Sequence, residues 1–116
     1  MDPNPILYHN PRCSKSRQTL QRLQERGIEP TVVEYLKDSL GVEELSELAR
    51  KLGLGVHEMI RAKESVYAEL GLTPSTSEEE LLDAIARHPV LLERPIVVRG
   101  DRAVIGRPPE NVDGLF

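Results

Sequence analysis

The chain has 116 residues, a formal net charge of −4 and a single cysteine. This length suits one domain with a hydrophobic core of ordinary size. The acidic balance argues against nucleic acid as a partner, because binding a phosphate backbone needs a basic surface. One cysteine cannot form an internal disulfide.

Membrane association is not expected either. No apolar run approaches the length of a membrane span, and the N-terminus lacks the pattern of a signal peptide. We therefore expect a cytoplasmic protein, in a compartment that keeps the cysteine as a thiol.

The first third of the chain predicts a β-α-β unit. Apolar residues at 6–9 end at Asn10-Pro11 and predict a buried strand. Residues 14–26 have helical spacing and stop at Gly27, and residues 31–35 predict a second strand. Two strands joined through a helix are expected to be parallel, with a right-handed crossover.

The middle of the chain predicts helices. Apolar residues at helical spacing predict helices at 42–52, 56–60 and 65–70. Ser77 and Glu80 have the spacing of a capping box, which predicts the start of a fourth helix.

The last third predicts a hairpin followed by a short helix. Residues 96–99 and 102–105 flank Gly100-Asp101, a two-residue loop that suits a primed turn, and Pro108-Pro109 can start a helix. The fold class is therefore α/β: a thioredoxin-like sheet of about four strands, β-α-β and then β-β-α. We predict one domain over residues 1–116, with a helical insertion at about 40–93.

Cys13 is predicted to lie between the first strand and the first helix. Free amides and the positive end of the helix dipole favour an anion there and lower a thiol pKa. Arg12, Lys15 and Arg17 add positive charge nearby, and Ser14 and Ser16 supply hydroxyls that could donate to a thiolate or an oxyanion. A buried structural cysteine is the alternative, but polar, basic flanks favour a nucleophile.

Spacing tests three kinds of cysteine chemistry. A C-x-x-C dithiol would need a cysteine where Ser16 stands, and a C-x5-R phosphatase loop would need an arginine where Thr19 stands. A cysteine protease needs a distant histidine, and neither His57 nor His88 has a helpful context. A monothiol completed by an outside thiol remains, with glutathione as the obvious candidate.

Several stretches resemble one family. The run YHNPRCSKSR at residues 8–17 is similar to the active-site signature of the glutaredoxin-coupled arsenate reductases of bacteria. RPIVV at 94–98 and GRPP at 106–109 match the same family, and residues 60–72 match it more weakly. The matches follow family order across almost the whole chain.

The resemblance implies an arsenate reductase of arsenic detoxification with a thioredoxin-like fold. Cys13 would attack arsenate, glutathione would add as co-substrate, and glutaredoxin would reduce the adduct to release arsenite. Arg61, Arg94 and Arg107 would bind the substrate, and Pro95 would be the cis proline that faces the cysteine. Neither a bound cofactor nor a metal is expected, since one cysteine and three scattered histidines make no metal site.

Independent reasoning bears on some of these residues. Arg94 precedes a proline at the start of a buried hairpin, where a charge needs a reason, whereas Arg61 depends mostly on the resemblance. His9 could tune the thiolate through charge or a hydrogen bond, or it could have no role.

Two other functions stay open: a glutathione-dependent thiol oxidoreductase with another substrate, and an Spx-type regulator that binds RNA polymerase.

Overall fold

A computed structural model describes residues 4–116 of the chain. Two compact units can be distinguished within it. One comprises the described residues up to Asp38 together with Arg94–Phe116, and the other is Ser39–Glu93. The second unit coincides with the helical insertion predicted at about residues 40–93. That the two units form a single domain stays a prediction.

The first unit is a four-stranded mixed sheet with one long helix and a short 3-10 helix. Its elements are β1 (Ile6–Tyr8), α1 (Ser14–Glu25), β2 (Thr31–Val33), β3 (Ile96–Arg99), β4 (Arg102–Ile105) and the 3-10 helix Pro109–Leu115. The strand order is β2-β1-β3-β4. The β-α-β unit and the hairpin predicted from the sequence are both confirmed.

The register of the sheet brings two loops to one edge. β1 pairs parallel to β2 and antiparallel to β3, with Tyr8 opposite Ile96. The end of β1 therefore lies beside the start of β3, because antiparallel neighbours run in opposite directions. The chain that leaves β1 towards Cys13 starts at the edge where Arg94 and Pro95 lead into β3.

The core of the first unit is aliphatic. It contains five side chains from β1, α1, β3 and the 3-10 helix, namely Leu7, Leu23, Val97, Val112 and Leu115. Helix α1 faces this core through Ser16, Thr19 and Leu23, which are all fully buried. Their spacing of three and then four residues puts them on one face of the helix. Two hydroxyls thus share the buried stripe with a leucine.

The second unit is helical. Its elements are α2 (Val42–Leu52), α3 (Val56–Met59), α4 (Ser65–Glu69), α5 (Glu78–Arg87) and the 3-10 helix Pro89–Leu91. The predicted cap is present, since the Ser77 hydroxyl accepts a hydrogen bond from the Glu80 amide at 3.2 Å. Buried leucines of α2 and α5, among them Leu45 and Leu81, supply its core.

Two predicted elements differ from the observed ones by more than one residue or in their type, while several others end one residue earlier than predicted. The second strand stops at Val33 rather than at residue 35, because the Glu34 carbonyl accepts from the amides of Lys37 and Asp38 and starts a turn. The last helix is a 3-10 helix, the form that short helical segments commonly take.

Within residues 4–116, each helix is too short or too polar to cross a membrane.

Candidate active site

Cys13 occupies the N-cap position of helix α1. Its backbone is extended, with φ −91° and ψ 124°, and its carbonyl accepts the first helical hydrogen bond from the Arg17 amide at 3.0 Å. Its own amide donates to the Asn10 carbonyl at 3.0 Å, which closes the loop between β1 and the helix. The partly buried thiol therefore lies at the positive end of a twelve-residue helix.

The pKa of the Cys13 thiol is lowered from its ordinary value. Partial burial raises this pKa, but hydrogen bonds from the backbone amides of Ser16 and Lys15 oppose the effect. The positive charge of Arg94 and a hydrogen bond from its side chain lower the pKa further. Because the lowering effects outweigh burial, the nucleophilic thiolate is populated at a lower pH than in an ordinary cysteine.

Arg94 has hydrogen-bond donors without acceptors. Its Nε and Nη1 atoms are buried, and none of residues 4–116 accepts a hydrogen bond from either. An unsatisfied buried donor costs roughly 1–3 kcal/mol, and a charged one costs more. Such a guanidinium, turned towards a thiol, has the geometry to bind an oxyanion through its fork of donors.

The bond that precedes Pro95 is cis, as the resemblance implies, and Pro95 itself is buried. The Pro95 carbonyl accepts a hydrogen bond from the Gly106 amide at 2.8 Å. The end of β4 therefore packs beside the segment that carries Arg94.

Ser16 has a different role from the one expected of its hydroxyl. The side chain is fully buried, and its Oγ lies 2.6 Å from His9 Nδ1 and 3.1 Å from the Asn10 amide, which donates to it. The hydroxyl thus holds the loop that precedes Cys13, while the Ser16 backbone amide is one of the groups that stabilise the thiolate.

His9 is buried and bonds Ser16 rather than the thiol. Burial lowers the pKa of His9, Glu34 opposes this lowering, and Arg17 adds to it. A histidine with a lowered pKa is mostly neutral at pH 7. The suggestion that His9 tunes the thiolate by its charge is therefore not supported, whereas a role through its hydrogen bond to Ser16 fits the geometry.

Two further predicted site residues, Arg107 and Ser14, are exposed. Arg107 directly follows Gly106, the residue whose amide donates a hydrogen bond to the Pro95 carbonyl. Ser14 is exposed at the first position of α1. Their roles in substrate binding and support stay predictions.

Arg61 belongs to the second unit, where two carboxylates pair with it. Its Nη1 forms an ion pair with Glu64, and its Nε lies 3.6 Å from a Glu93 carboxylate oxygen. Its amide also donates to the Leu91 carbonyl at 2.7 Å. Two acidic partners offset the charge that an oxyanion would need, so the substrate-binding role of Arg61 stays a prediction that depends on the resemblance.

Sequence reasoning missed the contacts of Thr19 and Asn111 with the end of the hairpin. Thr19 is fully buried and donates to the Gly106 carbonyl at 3.2 Å. A signal for it existed, because a hydroxyl three residues after Ser16 falls on the same apolar stripe of α1. Asn111 gave no comparable signal.

In the part of the chain that the structure describes, no group of three or more His, Cys, Asp or Glu residues could hold a metal ion.

Known proteins resemble this chain over nearly its full length. The model of the ArsC family matches residues 8–115. A Haemophilus influenzae protein named arsenate reductase is 50% identical over 109 residues, which are 92% of this chain and 94% of that protein. An Escherichia coli protein of the same name is 39% identical over 110 residues, covering 94% of this chain and 78% of that one.

A solved structure extends the similarity to the fold. The arsenate reductase from Vibrio cholerae is 49% identical and superposes with a TM-score of 0.94, covering 97% of each chain. The predicted thioredoxin-like α/β fold is thereby confirmed. With a family model that spans residues 8–115 and a matching fold, the chain belongs to the ArsC family.

Proposed function

We propose that this protein reduces arsenate to arsenite with glutathione and glutaredoxin, through Cys13 as its single nucleophile. The observation that carries the proposal is the guanidinium of half-buried Arg94. Its Nε and Nη1 atoms are buried without acceptors, and its charge and a hydrogen bond from its side chain lower the pKa of the Cys13 thiol. The names of the relatives support arsenate as the substrate.

The reaction needs a thiolate and an oxyanion to meet. Their mutual repulsion amounts to several kcal/mol at short distance in a site of low effective dielectric, unless a cation offsets it. Arg94 supplies that cation, and each guanidinium can bind two oxygens of one tetrahedral anion. Arg107 and Arg61 are proposed to complete the anion site.

The bond changes balance with two outside thiols. The Cys13 thiolate attacks arsenic and displaces one oxygen as water. Glutathione then forms a second bond to the same arsenic and displaces another oxygen as water. The glutaredoxin thiolate attacks the glutathione sulfur, so a mixed disulfide of the two leaves and two electrons reduce As(V) to As(III). Water hydrolyses the remaining bond, which releases arsenite and restores the Cys13 thiol. The reducing thiols come from the cytoplasm, and no bound cofactor takes part.

Ser16 makes the protein depend on an outside thiol. In a C-x-x-C protein the second cysteine attacks the first sulfur and resolves the adduct within one chain. A serine at that place cannot form a disulfide. Glutathione is therefore proposed as a co-substrate rather than as an alternative reductant.

The first test is the pH dependence of Cys13 alkylation by iodoacetamide. Because the pKa of the thiol is lowered, the alkylation rate should rise with a midpoint below about 8.5, the value for a free cysteine. Arg94→Met should move the midpoint upwards, since it removes a cation that stabilises the thiolate. A wild-type midpoint at or above the free value would refute the activated nucleophile.

The second test is an NADPH oxidation assay with glutathione, glutathione reductase and glutaredoxin. We expect NADPH consumption that depends on arsenate and disappears in Cys13→Ser. Thioredoxin with thioredoxin reductase should replace the glutathione system poorly, because Ser16 leaves no resolving thiol in the chain. Efficient arsenate turnover with thioredoxin and no glutathione would contradict the proposed coupling. Consumption that needs a mixed disulfide instead of arsenate would identify a thiol oxidoreductase.

The third test is Arg94→Lys, which keeps the charge and loses the bidentate fork. We expect a loss of roughly 1.5–3 kcal/mol in transition-state stabilisation, the range for a hydrogen bond to a charged group. This corresponds to about ten- to a hundredfold or more in kcat/KM. The melting temperature should barely change.

Arg87→Lys is the matched control for that variant. Arg87 is an exposed arginine that pairs with Asp83 at 3.1 Å in helix α5, so its replacement should leave kcat/KM at the wild-type value. Full activity in Arg94→Lys would show that Arg94 binds no oxyanion. Parallel losses of stability and activity would instead identify a structural residue. The same series at Arg107 and Arg61 tests whether they belong to the site.

A further inference from the structure

In the loop that carries Arg107, three consecutive backbone carbonyls accept hydrogen bonds from side chains. The Asn111 side-chain amide donates to the carbonyls of Ile105 and Arg107, each at 3.1 Å. The carbonyl between them, that of Gly106, accepts from the Thr19 hydroxyl at 3.2 Å. Loop carbonyls usually bond to water or backbone, so a complete set of side-chain partners indicates a fixed conformation.

Gly106 also lies in close contact with both sides of the site. A Cβ atom added there would come within 2.8 Å of Thr19 Oγ1 and 3.0 Å of Pro95 Cγ. Its amide donates to the Pro95 carbonyl at 2.8 Å. Glycine is therefore the residue that lets the backbone fit between helix α1 and the proline.

These contacts connect the helix of Cys13 to the segment of Arg94. Thr19 lies on α1, the helix whose first turn holds the thiol, and Pro95 directly follows Arg94. The path runs from Thr19 through Gly106 to Pro95 by two hydrogen bonds, and the space beside Gly106 is too narrow for a side chain. A shift of Gly106 would therefore be passed on to Pro95 and to Arg94, the residue that precedes it.

We propose that Thr19 and Asn111 are positioning residues that fix the hairpin end against helix α1. Thr19 sets the position of Arg94 relative to the Cys13 thiol through Gly106 and Pro95, and Asn111 sets the loop of Arg107. Neither touches the reacting atoms. Misplacing a bound group by about 1 Å can cost a hundredfold in rate, so these contacts matter for an anion site. The inference rests on the proposed function and deepens it.

The experiment compares Thr19→Val, which removes the hydroxyl, with Thr19→Ser, which keeps it. Thr31→Val is the matched control, because Thr31 is an exposed threonine of β2 whose hydroxyl also makes one side-chain hydrogen bond. For each variant we would measure the pH midpoint of Cys13 alkylation, kcat and KM for arsenate, and the melting temperature. The alkylation midpoint is measured without arsenate.

Thr19→Val should raise the alkylation midpoint, because a displaced Arg94 stabilises the thiolate less. It should also lower kcat/KM for arsenate about two- to tenfold, the factor that one lost hydrogen bond gives. Thr19→Ser and Thr31→Val should both stay within about twofold of the wild-type kcat/KM, since neither change removes a positioning hydrogen bond.

Asn111→Ala should behave differently. Arg107 is not among the groups that lower the thiol pKa, so the alkylation midpoint should stay at the wild-type value while KM for arsenate rises about two- to tenfold. Asn4→Ala, which removes another exposed asparagine side chain, is its control. Because Asn111 is exposed, this variant tests the loop of Arg107 even if Thr19→Val does not fold, and Thr19→Ser then tests whether the hydroxyl at that position suffices.

The positioning role is overturned if Thr19→Val and Asn111→Ala change only the melting temperature. It is equally overturned if Thr19→Val and Thr19→Ser lose activity to the same extent, since the hydroxyl would then not matter. A wild-type protein that reduces no arsenate, yet whose alkylation midpoint rises in Thr19→Val, would refute the proposed substrate and leave the positioning of Arg94 by Thr19 intact.

Discussion

The guanidinium of Arg94 is the constraint around which the site is built. Two of its donors are buried without acceptors, and its charge helps to lower the pKa of the Cys13 thiol. A protein that buries a cation in this way loses stability unless an anion restores the missing hydrogen bonds. A thiolate supplies part of that anionic partner in the resting state, and an oxyanion can supply the rest. In the proposed reaction, the same cation both activates the nucleophile and attracts the substrate.

The sheet and the loops around it hold these groups in place. Pairing of Tyr8 with Ile96 brings the end of β1 beside the start of β3, so the cysteine loop and the arginine segment begin at one edge. Hydrogen bonds lie on each side of the site. The Ser16 hydroxyl accepts from the Asn10 amide in the loop before Cys13, and the Thr19 hydroxyl donates to the Gly106 carbonyl, while the Gly106 amide donates to Pro95. Preorganisation of this kind lets charged groups act without rearrangement during the reaction.

Much of this arrangement was predictable, because it depends on short-range signals. The helix start at Cys13, the hairpin around Gly100 and the cap at Ser77 each leave a local pattern, and all three are observed. Contacts between residues far apart in sequence leave none, so the Thr19–Gly106 hydrogen bond across 87 positions was missed. The direction of a side chain was also hidden: Ser16 looked like a donor to the thiolate, but its hydroxyl turns to His9. The carboxylate partners of Arg61 were also missed, because the sequence does not show in which direction the Arg61 side chain points.

The most direct test of the central claim observes Arg94 itself. The Nε–H resonance of Arg94 can be assigned by NMR from its absence in Arg94→Lys, and arsenate can then be added without glutathione. If the guanidinium binds the oxyanion, this resonance should shift in a saturable manner, while the resonance of exposed Arg87 should not. An Arg94 resonance that stays unchanged at arsenate concentrations that support full turnover would contradict the account.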